Sequence, residues 1–163
     1  MSIQSRRDRL YAGTPQVLKD CAAASRELMH AAALLELRLD GVLAPCGLSM
    51  REYVAMRLLA DSVHEPLRPT SLVVALNATR TQVTRLLDAL EAKGLVSRAM
   101  HAQDRRGLLI TLTPAGSDLL AQAVPLVQAT YKDAWAPLGE GALHTLAAQL
   151  TQVHEHLRGK GAA

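Results

Sequence analysis

Six consecutive residues in the middle of the chain carry a high density of hydrogen-bond donors. The stretch Arg80–Arg85 reads RTQVTR, with two arginines, two threonines and one glutamine. Arginine can donate two hydrogen bonds to guanine, glutamine can pair with adenine, and threonine can contact a phosphate or the thymine methyl group. This chemistry suits the major groove of DNA. The candidate base-contacting residues are Arg80, Thr81, Gln82, Thr84 and Arg85.

A second donor-rich stretch, HAQDRRG, follows at residues 101–107. The adjacent Arg105 and Arg106 indicate an anionic partner, yet Asp104 directly precedes them. A neighbouring carboxylate can pre-orient one guanidinium and so reduce the rotamer entropy that is lost on binding. Since an exposed ion pair adds little stability, we interpret Asp104 as a positioning residue. Which of the two arginines contacts DNA stays open.

Other kinds of site are not supported by the sequence. The chain has no glycine-rich phosphate loop, no Gly-x-Ser-x-Gly motif and no paired carboxylates, so we expect neither an enzyme nor a cofactor. His154 and His156 lie two residues apart on a predicted helix and therefore on different faces, so we expect no metal site. Cys21 and Cys46 form no CxxC motif and are interpreted as unreactive thiols in a reducing cytosol. An oxidant-sensing thiol is the alternative.

Composition favours a helical protein with one basic region. Of the 163 residues, 49% are hydrophobic but only 2% are aromatic, so the core must consist of leucine, valine and alanine in helices. The chain carries a net charge of +3, whereas residues 66–112 hold seven basic and three acidic residues, a net charge of +4. The apolar stretch 22–44 is interrupted by charged residues, and no apolar segment follows the basic N-terminus. We therefore expect a cytoplasmic protein without membrane contact.

The N-terminal part is predicted to form a long helix after a short arm. Residues 1–13 are interpreted as a flexible basic arm, and Thr14 with Pro15 as the N-cap and first residue of the helix. The segment Gly41–Gly47 is expected to end it. Apolar residues recur at intervals of three and four and predict one amphipathic face: Val17, Cys21, Ala24, Leu28, Ala31, Leu35 and Leu39.

The middle of the chain predicts three further helices. Ser49 with Glu52 forms a capping box that opens the second. A short third helix over residues 70–77 ends at Asn77, which can adopt the left-handed conformation. Thr79 with Gln82 forms another capping box, and the fourth helix extends to about Ala92, before Lys93 and Gly94. Its apolar face is expected to pack on the second and third helices: Val83, Leu86, Leu87 and Leu90.

The segments LVSRAM and LLITLT flank the arginine-containing loop and predict a β-hairpin. Thr113 and Pro114 then open a fifth helix to about Trp135 with a bend at Pro125. A sixth extends to about Leu157 with a further apolar stripe: Leu143, Leu146, Ala147, Leu150, Val153 and Leu157. The predicted fold is mainly α with a small β-hairpin, in which a helix-turn-helix is followed by a wing.

With these elements in order, the chain resembles the MarR (multiple antibiotic resistance regulator) family of transcriptional regulators over residues 20–158. The resemblance rests on three segments: LSMREYVAMRLLA, LNATRTQVTRLLDALEAKGLVSR and DRRGLLITLTPAG. It implies one protomer over residues 14–163. A winged helix-turn-helix lobe at 48–112 is flanked by dimerisation helices at about 15–40 and 115–158.

The resemblance also implies roles for particular residues. In the family the fourth helix enters the major groove of DNA, and a wing arginine, here Arg105 or Arg106, reaches the minor groove. Asp104 would hold Arg106. Members of the family bind small, often aromatic, anions between the dimerisation helices and the DNA-binding lobe. His30, Tyr53 and Arg57 are the polar candidates for such a ligand site.

The sequence thus favours a homodimeric, ligand-responsive repressor that binds a palindromic operator in double-stranded DNA. Two alternatives stay open. One is a repressor of the same fold that is switched by cysteine oxidation. The other is a winged-helix module that binds a protein partner and never contacts DNA.

Overall fold

The computed structural model describes residues 13–62, 67–100 and 108–160, and in this part the chain is mainly helical with one β-hairpin. The fold class predicted from the sequence is thereby confirmed. The helices are α1 (Gln16–Leu43), α2 (Met50–Asp61), α3 (Pro69–Ala75), α4 (Arg80–Ala92), α5 (Pro114–Trp135) and α6 (Glu140–Lys160). The strands are β1 (Val96–Met100) and β2 (Leu108–Leu112).

The hairpin lies between α4 and α5 in an antiparallel register. Val96 pairs with Leu112, and Arg98 pairs with Ile110. The extended stretch before α3 joins the sheet, because the Ile110 N–H donates to the Leu67 carbonyl at 3.3 Å. The wing loop with Asp104, Arg105 and Arg106 falls outside the described residues, as do residues 1–12 of the predicted arm.

The helix ends around α4 follow local capping rules and confirm several predictions. The Thr79 N–H donates to Gln82 Oε1 at 2.8 Å, and the Gln82 N–H donates to Thr79 Oγ1 at 3.2 Å, which completes the capping box. Asn77 and Gly94 both have positive φ angles, of 45° and 70°. Thr113 caps α5 by accepting the Gly116 N–H at 3.0 Å.

The predicted start of α1 is wrong by one residue, whereas its predicted end within Gly41–Gly47 is confirmed. Pro15 is the N-cap of this helix rather than its first residue, with an extended ψ of 143°. The helix continues through Gly41 to Leu43, and a short 3-10 turn (Ala44–Cys46) then ends at Gly47, whose φ is 65°. Burial of Leu39 and Leu43, four residues apart, outweighs the small helix penalty of the glycine.

A single core joins the end of α1 to α2, α3, α4, α5 and the hairpin. Its fully buried members are aliphatic side chains and one methionine, as the composition predicts: Leu43, Met56, Leu72, Val83, Leu87, Leu90, Ile110 and Val127. Val83, Leu87 and Leu90 form the inner face of α4, with Leu86 half-buried beside them. The predicted packing face of α4 is therefore confirmed.

The apolar stripes of α1 and α6 remain largely exposed within the chain. Of the seven stripe residues in α1, only Leu39 is buried, and Val17 is 65% exposed. Helix α6 buries none of its described residues, and Leu157 is also 65% exposed. Both helices thus form as predicted, but the described residues leave most of their apolar faces uncovered. None of the described helices is long and apolar enough to cross a membrane.

A glycine at the start of α5 provides a test of how this helix packs on the hairpin. A Cβ at Gly116 would collide with the backbone carbonyl of Leu95. Because backbone atoms cannot move aside cheaply, we expect Gly116→Ala to lower the free energy of unfolding by about 1 to 3 kcal/mol, as overpacking does. Urea denaturation followed by circular dichroism measures this change.

Gly41→Ala is the matched control for that substitution. A Cβ at Gly41, inside α1, would have no neighbour within 4 Å. Alanine should therefore leave stability unchanged or raise it by up to about 1 kcal/mol. Equal effects of the two substitutions would contradict the close contact between α5 and Leu95.

Candidate nucleic-acid interface

Helix α4 combines a buried apolar face with an exposed face that is rich in hydrogen-bond donors. Its inner residues lie in the core described above, and α3 supports it through the tight turn at Asn77, where the Ala78 N–H donates to the Val73 carbonyl at 3.1 Å. The five candidate base-contacting residues are all exposed: Arg80, Thr81, Gln82, Thr84 and Arg85. The structure therefore brings them together on one accessible surface.

The arginines in the first turns of α4 have no partner in the described part of the chain. Neither Arg80 nor Arg85 forms an ion pair or a side-chain hydrogen bond there. Four other arginines do form ion pairs: Arg26 with Glu27, Arg38 with Asp133, Arg57 with Asp61 and Arg98 with Asp88. The start of α4 thus presents free guanidinium groups to solvent.

The start of α4 also has free backbone donors. The N–H groups of Arg80 and Thr81 form no hydrogen bond within the described residues, because the capping box satisfies only Thr79 and Gln82. Unpaired N–H groups and the positive end of the helix dipole favour a phosphate at this position. Backbone and side-chain donors therefore point to the same class of anionic ligand.

The geometry limits what Gln82 can do. Its Oε1 atom accepts from both the backbone N–H and the hydroxyl of Thr79, at 2.8 and 3.1 Å. Bidentate recognition of adenine needs the same oxygen as an acceptor and Nε2 as a donor. Gln82 therefore acts first as a capping residue, with Nε2 as its remaining donor. The Thr84 hydroxyl similarly donates to the Arg80 carbonyl at 3.0 Å.

Arg98 connects the hairpin to α4, a contact that the sequence analysis did not predict. Its Nη2 atom lies 2.6 Å from Asp88 Oδ1, and its Nε atom lies 3.4 Å from Glu91 Oε2. Asp88 and Glu91 are the two acidic residues of α4. Their spacing of three places both carboxylates on one helix face, which is the signal for a shared cationic partner. The contact ties β1, and hence the base of the hairpin, to α4.

Lys93 anchors the other end of α4. The sequence predicted a cation near the helix C-terminus, and Lys93 is indeed the C-cap residue. Its Nζ atom also donates to Glu52 Oε1 at 2.6 Å and to the Gly47 carbonyl at 2.7 Å. The Met50 N–H donates to Asp40 Oδ1 at 2.7 Å. The end of α4, the start of α2 and the end of α1 are therefore joined by one network.

Glu52 at the centre of this network is buried, and its carboxyl is ionised more easily than usual. Burial raises the pKa of Glu52, but hydrogen bonds from Lys93 and Ser49 lower it by more. The net pKa of Glu52 lies below its ordinary value of 4.5. The network thus favours the charged carboxylate.

A groove separates the first turn of α2 from α4. It has a volume of about 430 Å³ and is lined by residues from both helices: Ser49, Arg51, Glu52, Ala78, Gln82, Arg85 and Leu86. Arg51 is exposed on the α2 side of this groove, opposite α4. Arg51 was not predicted as a site residue, because a single arginine on the polar face of a helix carries no local signal of function.

The three candidates for ligand binding occupy different surroundings. His30 is exposed on α1, whereas Tyr53 is buried and Arg57 pairs with Asp61 at 3.3 Å. Burial raises the pKa of Tyr53; Arg57 lowers it and Asp61 raises it further. Burial and the neighbouring Tyr53 raise the pKa of Tyr131 on α5. Tyr53, Arg57 and Tyr131 therefore lie near one another, where α2 packs on α5.

Described residues line three cavities. The first is the groove beside α4, the second lies between α1 and α5 around Arg38 and Asp133, and the third lies between α1, α2 and α3 around Glu36. His30, Tyr53 and Arg57 line none of these three. Their role in ligand binding stays a prediction.

Cysteines and histidines provide no further site in the described part of the chain. Cys21 is exposed, Cys46 is half-buried, and both are free thiols. Within residues 13–62, 67–100 and 108–160, no group of three or more His, Cys, Asp or Glu side chains could hold a metal ion.

These features define a winged helix-turn-helix protein, and comparisons with known proteins identify its family. A MarR family model matches residues 48–108. The HTH-type transcriptional regulator PecS of Dickeya dadantii is 30% identical over 131 residues, which cover 80% of this chain and 79% of PecS. The chain belongs to the MarR family, whose members are transcriptional regulators and not enzymes.

Two further comparisons extend this result. The HTH-type transcriptional repressor YetL of Bacillus subtilis is 39% identical over 79 residues, which cover 48% of this chain and 47% of YetL. The crystal structure of Sco3205, a MarR family regulator from Streptomyces coelicolor in complex with DNA, is 28% identical. It has a TM-score of 0.78 and covers 83% of this chain and 90% of that one. The chain spans about half to two thirds of the length of several curated relatives.

The low pKa of Glu52 predicts an acid-sensitive contribution to stability. A carboxyl with a depressed pKa in the folded state stabilises the protein fully above its ordinary pKa, here 4.5, and loses this contribution as the pH falls through the lower folded value. Glu52→Gln should therefore lower the free energy of unfolding at pH 7 by about 1 to 2 kcal/mol. The difference from wild type should shrink as the pH falls below 4.5.

Urea denaturation at a series of pH values measures this effect. Glu155→Gln is the control, since Glu155 is exposed on α6 and has no partner in the described residues. A Glu52→Gln difference that stays constant over this pH range would show that the carboxylate charge is not what stabilises the network.

Proposed function

We propose that this chain is a homodimeric transcriptional repressor that binds a palindromic operator and is released from it by a small ligand. The observation that carries the proposal is the division of the arginines. Arg80 and Arg85 at the start of α4 are free in the described part of the chain, whereas Arg26, Arg38, Arg57 and Arg98 are each ion-paired. Free guanidinium groups on a firmly packed helix suit recognition of base edges in the major groove.

The remaining groups on α4 fit the same role. The free N–H groups of Arg80 and Thr81 suit a backbone phosphate, which would set the depth at which α4 enters the groove. Thr81 and Thr84 would contact phosphate or the thymine methyl group, and Gln82 would use its remaining Nε2 donor. Support for DNA binding also comes from Sco3205, a structural relative that was crystallised with DNA.

The wing would extend this interface into the adjacent minor groove through Arg105 or Arg106, with Asp104 orienting one of them. Because Arg98 holds β1 against Asp88 and Glu91 of α4, the wing and the recognition helix would approach DNA as one unit. A positively charged side chain is attracted to the strong negative potential of a narrow minor groove.

A second copy of the chain is proposed to cover the apolar faces of α1 and α6. Several large side chains on these faces are at least 45% exposed: Val17, Leu28, Val153 and Leu157. Contiguous apolar surfaces of this kind mark protein interfaces. A palindromic site would require the two α4 helices of such a dimer to lie about 34 Å apart, the spacing of successive major grooves.

Repression and release by a ligand complete the proposal. YetL, which is 39% identical over its matched part, is a transcriptional repressor. A small anion, often aromatic in this family, would bind near Tyr53 and Arg57, with His30 as a third candidate. Because the network around Lys93 and Glu52 joins α1, α2 and α4, a shift of α2 would change the separation of the two recognition helices.

Arg85→Ala tests the base-reading role of α4. We expect about a 10- to 100-fold loss of affinity for an operator duplex selected from a random DNA pool, and a smaller loss on random-sequence duplex. Fluorescence anisotropy measures both affinities. Arg38→Ala is the matched control, because Arg38 is ion-paired with Asp133 and belongs to no proposed site.

The possible results separate three interpretations. An equal loss on both duplexes would demote Arg85 to a phosphate contact, and an unchanged affinity would remove it from the interface. If the wild-type protein binds no duplex even at low salt, where electrostatic attraction is strongest, DNA recognition is wrong. A winged-helix module with a protein partner would then be favoured.

Substitution of exposed apolar residues tests the dimer. The double variant Leu28→Glu/Leu157→Glu should weaken self-association by at least about tenfold, because charged groups cannot be buried unpaired in an apolar interface. Sedimentation velocity over a concentration series measures the change. Val74→Glu is the control, since Val74 is 58% exposed on α3 in the DNA-binding lobe. A monomeric wild-type protein would contradict the proposed dimer.

A further inference from the structure

The geometry points to Arg51 as a second, backbone-directed DNA contact, which binds a phosphate in the groove between the first turn of α2 and the recognition helix. This inference rests on the proposed function. Arg51 lines the groove on the α2 side, and Arg85 lines it on the α4 side. The positive charge of Arg85 strengthens the attraction of this groove for a phosphate, while Arg51 makes the contact.

Arg51 has no partner in the described part of the chain. It is exposed and forms no ion pair, whereas Arg57, six residues later on the same helix, pairs with Asp61. Glu36 lines the neighbouring cavity together with Arg51, yet no ion pair forms between them. The guanidinium of Arg51 is therefore available to an anion from outside the chain.

The acidic residue beside Arg51 does not cancel its charge. Both carboxylate oxygens of Glu52 are occupied, because Oε1 accepts from Lys93 and Oε2 accepts from the backbone N–H and hydroxyl of Ser49. The Glu52 charge is thus compensated by Lys93. Arg51 and Arg85 remain as the uncompensated charges among the residues that line this groove.

The attraction comes from the arginine side chain and not from the start of α2. Three N–H groups in the first turn are already used: Ser49 donates to Glu52 Oε2, Met50 to Asp40 Oδ1 and Glu52 to Ser49 Oγ. Two carboxylates therefore already neutralise the positive end of this helix. An anion in the groove would depend on Arg51 itself, which makes the inference testable by one substitution.

The position of Arg51 favours the DNA backbone over the bases. Arg51 lies on α2, beside α4 and across the groove from it, whereas base edges are reached by the helix that enters the major groove. Contacts beside a recognition helix go to phosphates and fix its register without reading sequence. Arg51 would thus bind the strand that flanks the α4 contact.

A phosphate contact has a signature that differs from that of a base contact. Arg51→Ala should weaken binding on the order of tenfold, by the same factor on a selected operator duplex and on random-sequence duplex. The slope of log affinity against log salt should fall by about 0.9, the value for one released counterion. Arg51→Lys keeps the charge and should retain most of that slope.

The experiment measures anisotropy of both fluorescein-labelled duplexes across a KCl series with the full-length protein. The variants are Arg51→Ala, Arg51→Lys and the control Arg38→Ala, whose side chain is ion-paired with Asp133, and the thermal melting curve of each variant verifies its fold. The expected result is uniform weakening and a reduced slope for Arg51→Ala, with wild-type affinity and slope for Arg38→Ala.

Two other results would overturn the inference while the proposed function stands. They are an unchanged affinity and slope for Arg51→Ala, and a loss confined to the operator duplex, which would indicate a base contact. A wild-type protein that binds neither duplex would overturn both the proposed function and the role of Arg51.

Discussion

The ion pair between Lys93 and Glu52 is the contact on which the arrangement of this protein depends. Lys93 ends the recognition helix, and Glu52 lies in the first turn of α2, so their 2.6 Å contact sets the position of one helix relative to the other. Burying a carboxylate is costly unless its oxygens are satisfied. Here Lys93 and Ser49 occupy both oxygens. Asp40 extends the network to α1 through the Met50 N–H. A movement of α1 would therefore also move α2 and α4, because the network joins all three helices.

The arginines of the described chain divide into those that are ion-paired and those that are free. Arg98 holds the hairpin against α4. Arg57 pairs with Asp61 on its own helix, and Arg38 of α1 pairs with Asp133 of α5. Such exposed pairs contribute little stability, but they remove those charges from competition for an external anion. In the described part of the chain, Arg51 and Arg85 are left free along one groove, and Arg80 is free at the start of α4. Binding DNA would then cost mainly the ordering of these side chains, because the helix that carries them is already packed into the core.

Local rules predicted the lobe well, because helix ends are decided by neighbouring residues. The capping boxes at Ser49 and Thr79 and the left-handed residues Asn77 and Gly94 all formed as expected. The same rules placed the end of α1 within Gly41–Gly47, and the burial of Leu39 and Leu43 decides that the helix ends at Leu43 rather than at Gly41. They were incomplete at Gln82, whose oxygen serves the cap before it can serve a base. A residue type predicts which bonds are possible, but the neighbours that compete for those bonds decide which ones form.

Residue types and their spacing were thus enough to predict the helices, the hairpin, the donor-rich face of α4 and the family to which the chain belongs. They did not predict that Arg98 would join β1 to Asp88 and Glu91, or that Arg51 would line the same groove as Arg85. These pairs are distant in the chain, and only the packing of α2, α4 and the hairpin on one core brings them together. Helical periodicity and capping act over a few residues, whereas a shared groove depends on the angles at which whole elements pack.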